Sequence, residues 1–139
     1  MSPSVIFLII AIVVVGVLVF IAMMINGRGR QTLDREKYQT AWLKIENSLV
    51  KNNPATFNLS ILEADKLFDQ AMKEKGFGGD TMGNRLKNAG SSLKNRNAVW
   101  SAHKLRNAIA HEPDFRLSYE NAKKALNNYK NGLKDLGAI

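Results

Sequence analysis

The sequence predicts an all-α protein, a single N-terminal transmembrane helix followed by an antiparallel helical bundle of four longer helices and one short one. Three observations carry that reading. No residue from 1 to 27 has a charged side chain, and residues 5–25 form an almost unbroken apolar run. Beyond it, apolar residues recur at three- and four-residue spacing in segment after segment, the period of a helix that buries one face. No stretch alternates apolar and polar residues as a half-buried strand does.

The first element is the apolar run. At 1.5 Å per residue it is long enough to span a hydrocarbon layer of roughly 30 Å. A cleaved signal peptide would start with basic residues, have a shorter apolar core and end at small residues around a cleavage site. This chain starts Met-Ser-Pro-Ser, and the run ends Met23-Met24-Ile25-Asn26, so it reads as an uncleaved anchor. Arg28, Arg30, Arg35 and Lys37 crowd its C-terminal side. Such a flank predicts an N-terminus outside and a C-terminal domain in the cytoplasm. No Gly-x-x-x-Gly pair marks the run as a dimerisation helix. The expected organisation is an anchor over 1–27, a basic hinge over 28–33 and a helical domain over 34–139.

The first helix of the domain follows from Tyr38, Trp42, Ile45 and Leu49, with Asp34 and Glu36 near its positive end. It is expected to end near Lys51, ahead of the turn Asn52-Asn53-Pro54. A second helix over 58–75 carries Ile61, Ala64, Leu67, Phe68, Ala71 and Met72, and Gly76 suits its C-terminal cap. The glycine-rich connector over 77–81 lacks the Gly-Lys-Ser/Thr ending of a phosphate loop and follows no strand, so it reads as a turn. Thr81 or Asp80 can then cap a short helix bearing Met82, Leu86 and Ala89. The next helix, over 92–111, is stopped by Pro113, and Ser118 can cap a last one bearing Ala122, Leu126, Tyr129, Leu133 and Leu136. Trp42, Phe68 and Tyr129 fall on the stripes and read as core.

The formal net charge of +8 lies wholly outside the first 27 residues, which raises the prospect of a polyanionic or membrane-surface partner, against the plainer reading of solubility plus membrane topology. With no cysteine, disulfides and thiolate metal sites are excluded, and the chain fits a reducing compartment. No acidic cluster or His-x-x-x-His spacing points to a metal, and no motif calls for a cofactor.

Chemistry concentrates on the helix over 92–111, which holds both histidines of the chain. At about 100° per residue from Arg106, Ala110 falls at about 40°, His103 at about 60°, Asn107 at about 100° and His111 at about 140°. Ala98, Ala102, Leu105, Ala108 and Ile109 lie on the other side and read as the core-facing stripe. The polar group is therefore expected to face outward or toward a partner.

The run Arg106-Asn107-Ala108-Ile109-Ala110-His111 resembles the signature of HEPN domains (higher eukaryotes and prokaryotes nucleotide-binding). That signature is an arginine, often followed by a polar residue, with a histidine after four to six intervening positions. Its setting is also similar: a late helix, a turn with Pro113, and one closing amphipathic helix, so that the resemblance covers 34–137. HEPN domains are small helical bundles, many of them metal-independent endoribonucleases that act as dimers. The resemblance implies that Arg106 holds the phosphate and His111 exchanges a proton, with Asn107 and, outside the bare motif, His103 in supporting roles. It also implies a homodimer that assembles two motif helices around one cleft, RNA as substrate, and a protein inhibitor as a partner for a toxic nuclease. The alternative is a catalytically inactive RNA- or nucleotide-binding module, or a protein-interaction module, tethered to the membrane. In a purely architectural role, Arg106 would pair with a carboxylate such as Glu112 and His111 would complement the helix dipole.

Overall fold

The computed structural model describes residues 2–27 and 31–139, which contain six α-helices, one short 3-10 turn and no strand. The chain divides into two compact units, Met1–Arg30 and Gln31–Ile139. Arg28 and Arg30, the arginines of the basic hinge, lie outside the described residues.

The first unit is helix α1, Pro3–Gly27. Its stretch Pro3–Met24 is long and apolar enough to cross a membrane, and no part of it is buried against protein. Phe7, Leu18 and Phe20 are each more than half exposed, so the helix presents apolar side chains on every side.

The second unit is a bundle of α2 (Arg35–Ser48), α3 (Ala55–Glu74), α4 (Met82–Ala89), α5 (Arg96–His111) and α6 (Tyr119–Asp135). Four of these starts are capped by side chains: Asp34, Thr81, Asn95 and Ser118 each accept a hydrogen bond from the backbone N–H three residues on. The α2 helix stops at Ser48, short of the expected Lys51, and α3 begins at Ala55, ahead of the expected 58. Thr56 causes both shifts. Its hydroxyl accepts from the Val50 N–H and donates to the Asn53 carbonyl, closing the turn, while Pro54 enters the first helical turn at no hydrogen-bonding cost. Gly76, at φ 95°, and Gly137, at φ 74°, end α3 and α6 in left-handed turns closed by Phe77 N–H to Met72 O and Ala138 N–H to Leu133 O. The α5 helix starts at Arg96 rather than Ser92, because a 3-10 turn over Gly90–Ser92 and the buried Leu93 intervene.

Helices α2 and α3 run antiparallel, as do α5 and α6. Lys37 pairs with Glu74 and Ser48 with Ser60 along α2 and α3, and the Lys94 N–H bonds the Asp135 carboxylate where α5 begins and α6 ends. Helices α3 and α6 are parallel, with Phe57 near Tyr119 at one end and Phe68 near Tyr129 further along. Tyr38, Ile61, Phe68, Met72, Leu86, Tyr129 and Leu133 are fully buried, and Trp42 nearly so. Leu33, inside the segment read as hinge, joins this core as well. Gly132 lets α6 come close. A β-carbon there would stand 2.6 Å from the Phe68 ring and 3.0 Å from Val99, so only glycine fits without displacing the core.

Candidate functional site around Asp65

Asp65 lies among the apolar residues of α3 and is 6 % exposed, a position that a carboxylate tolerates only with several donors. It has them. The Tyr129 hydroxyl donates to Oδ1 at 2.7 Å from α6, and the His103 Nδ1 meets the same oxygen at 2.8 Å from α5. Arg106 Nε stands 3.4 Å from Oδ2, an ion-pair contact whose geometry falls short of a hydrogen bond and leaves that nitrogen buried without one. Burial and then the neighbouring Asp65 charge push the Tyr129 hydroxyl well above its ordinary value, so it remains a donor.

This network turns α5 relative to expectation. The residues that α5 buries are Val99 and Ala102, with His103 next to them at 12 % side-chain exposure. On the wheel with Arg106 at zero these lie at about 20°, about −40° and about 60°, so the buried direction runs close to Arg106 itself. Of the expected stripe Ala102 is buried and Leu105 and Ile109 pack half-buried against the core, while Ala98 and Ala108 are half-buried. Alanine offers little apolar area, and three of the five stripe residues are alanines, whereas the polar face finds a buried charge to satisfy.

Toward solvent the same residues line a cleft of about 730 Å³, together with Leu62, Lys66, Asp69 and Thr81 to Gly83. Asn107 Nδ2 lies 3.4 Å from His103 Nε2, and Arg106 Nη1 donates to Asn107 Oδ1 at 3.3 Å. The Arg106 side chain is 34 % exposed, enough to reach a ligand in the cleft. Asp69, opposite, is already matched: Arg85 grips it through two nitrogens at 2.6 and 3.0 Å and Lys73 reaches it at 3.0 Å. Burial pushes the Asp69 carboxyl up, but Arg85 and Lys73 together hold it below its ordinary range. Arg85 also donates to the Gly79 carbonyl, which ties the glycine-rich connector to the cleft wall. That connector is irregular chain with a bend at Asp80 and Thr81.

Arg106, Asn107 and His103 thus come together in the cleft, while His111 does not join them. It is exposed at the last position of α5 and is no part of the cleft wall. Arg106 pairs with Asp65 and not with Glu112, which is exposed. Sequence reading missed Asp65, and one signal pointed to it: an acid at the position that continues Ile61 and Ala64 toward Phe68 on the apolar stripe of α3. Tyr129 was legible as core but not as a donor. Among the described residues, no group of three or more His, Asp or Glu side chains forms a metal-ligand set.

No protein-family model matches the chain, and neither curated proteins nor solved structures provide a match.

Proposed function

We propose that the chain is a membrane-anchored, HEPN-like endoribonuclease that acts as a homodimer without metal. Helix α1 is its single-pass anchor and the bundle faces the cytoplasm. Arg106 holds the scissile phosphate and stabilises its developing charge, His111 transfers a proton, and Asn107 and His103 orient the phosphate. The observation that carries this reading is the half-exposed Arg106–Asn107 pair at the mouth of a cleft on the signature helix. Charge supports it too. Asp69 is neutralised by Arg85 and Lys73 and Asp65 by Arg106, so the exposed Lys66 adds a surplus cation for a phosphate.

His111 lies five residues beyond Arg106, about 7.5 Å along the helix and about 140° around it, so one protomer does not offer both to a single phosphate. A two-fold pairing of α5 helices removes that difficulty, because each cleft then receives a histidine from the second copy. The same separation favours a second reading, an RNA-binding module without cleavage.

The test uses the full chain in detergent micelles with a single-stranded RNA in EDTA. Cleavage is expected, together with binding that weakens steeply with salt at a slope of about 0.7 per neutralised phosphate. His111→Ala is expected to abolish cleavage and keep binding, and Arg106→Ala to reduce both. Binding with no cleavage by the unmodified dimer selects the second reading. Indifference to RNA overturns both and leaves a protein-interaction module.

A further inference from the structure

A carboxylate only accepts hydrogen bonds, so the short contact between His103 Nδ1 and Asp65 Oδ1 requires the proton on Nδ1. Neutral imidazole then carries its lone pair on Nε2. That nitrogen points away from Asp65 and accepts a long hydrogen bond, 3.4 Å, from Asn107 Nδ2, a contact that a substrate hydroxyl must replace, and His103 lines the cleft beside Arg106. Tyr129 donates to the same carboxylate oxygen and fixes it, and the Trp100 ring lies beside the imidazole, 6.1 Å away between centroids and tilted by 56°. The nitrogen that faces the cleft is thus a base whose tautomer and orientation are set by a buried acid, and the same acid stabilises the imidazolium once a proton arrives.

We infer that His103, positioned by Asp65, is the proton acceptor of this cleft, taking the proton from a ribose 2′-hydroxyl whose phosphate Arg106 holds. The inference rests on the RNA-cleavage reading and deepens it, since that reading gave His103 only an orienting part. The step balances. The 2′-hydroxyl proton moves to His103 Nε2 as the 2′-oxygen bonds to phosphorus, the bond from phosphorus to the 5′-oxygen breaks, and that oxygen leaves with a proton from the His111 imidazolium of a second copy. The products are a 2′,3′-cyclic phosphate and a 5′-hydroxyl, and both histidines are reset by exchange with water. His103 and His111 of one chain are eight residues, about 12 Å, apart along α5, too far to serve one phosphate together. The acid therefore comes from across the two-fold axis. Asp65 is a positioning residue, acting through the imidazole.

The decisive variant is His103→Asn in the full chain in micelles, assayed on a DNA oligonucleotide containing one ribonucleotide. Its amide nitrogen takes the place of Nδ1 and keeps the bond to Asp65, but nothing replaces Nε2. Cleavage is expected to fall about 10²- to 10⁴-fold, far more than binding falls, because proton transfer is lost while Arg106 still holds the phosphate. Asp65→Asn is expected to keep cleavage measurable at a lower rate and to let the His103 imidazole populate both neutral tautomers by nitrogen NMR, a signature that a merely architectural Asp65 does not produce. Cleavage at the unmodified rate by His103→Asn, with Arg106→Ala inactive, overturns the inference and leaves the nuclease reading standing. Absence of cleavage by the unmodified chain overturns both. If His103→Asn does not fold, uridine 3′-monophosphate is titrated into the unmodified chain and the imidazole nitrogens are followed by NMR. A response at His103 Nε2, with Nδ1 still protonated, supports the inference, and a silent His103 overturns it.

Discussion

Tyr129 and Asp65 are 64 positions apart in the chain and 2.7 Å apart in the fold, joined by a hydrogen bond in which the phenol donates to a buried carboxylate. That bond ties α6 to α3 at the level where α5 delivers His103 and Arg106. The stability of the bundle core and the geometry of the cleft are therefore one property, and substitutions at either residue are expected to register in both.

Tyr129→Phe removes the donor and keeps the ring against Phe68, so it is expected to cost about 1.5–3 kcal/mol, the range for a hydrogen bond to a charged group. Asp65→Ala leaves Tyr129 and His103 unpartnered and is expected to cost about 3–5 kcal/mol. The double variant should cost clearly less than the sum, because both substitutions remove one shared bond. Urea unfolding of the four proteins measures this, and strict additivity would show that the contact contributes nothing.

Gly132→Ala separates propensity from packing. In an exposed helix the change gains about 1 kcal/mol. Here the new methyl meets the Phe68 ring at 2.6 Å, and overpacking of this kind costs about 1–3 kcal/mol. A net loss in thermal melting temperature is the expected outcome, and a gain would mean that α6 has room to move.

The bundle was legible because each long helix has an apolar stripe with the helical period, and caps such as Thr81, Ser118 and Gly76 mark where the stripes begin and end. The face that α5 turns inward was not. His103 and Arg106 look like a solvated side when only their own helix is read, since their partner Asp65 comes from α3 and the brace Tyr129 from α6. Local periodicity carries no information on such long-range polar pairing. The early end of α2 was hidden for a related reason, since Thr56 reaches back across the turn to Val50.

Two carboxyls and two phenols shape the pH response of stability. Asp69, after burial is outweighed by Arg85 and Lys73, and Glu74, bonded by Lys37 and Gln70, titrate below their ordinary values, so their contribution is complete above about pH 4 to 5 and fades as pH falls. Tyr38 and Tyr129 are raised by burial and a neighbouring carboxylate, so theirs is complete below about pH 10 and fades as pH rises. Denaturation followed from acid to alkali should give a plateau between these limits. Asp69→Asn is expected to flatten the acid limb and Tyr129→Phe the alkaline one, and unchanged limbs would remove these groups from the account.

The anchor reading predicts an orientation. With Arg28, Arg30, Arg35 and Lys37 all after the apolar run, a C-terminal tag on the full chain should resist protease added outside intact cells and be lost only on permeabilisation. Loss of the tag in intact cells would reverse the topology. A tag released into a soluble fraction, free of α1, would make that helix a signal sequence.

Leu59 supplies the most direct test of the proposed dimer. It is 53 % exposed on α3, and on the helical wheel it lies about 60° from Leu62, the half-buried leucine of the cleft wall. An exposed leucine next to the face that presents Arg106 and Asn107 gives a two-fold contact some apolar area to bury, and such area, unlike the polar rim, is what holds two copies together. Leu59→Glu changes no bond of the Asp65 network and places a carboxylate where the two copies would meet. The full chain in detergent is expected to sediment as a dimer at micromolar concentration, and the variant as a monomer with unchanged helix content and melting temperature. Cleavage should fall with the dimer, because each cleft then loses the His111 of the other copy, while RNA binding through Arg106 and Lys66 persists. A variant that stays dimeric would move the interface away from this face. A monomer that still cleaves at the full rate would show that one chain suffices, and that the separation of Arg106 and His111 along α5 is bridged in some other way.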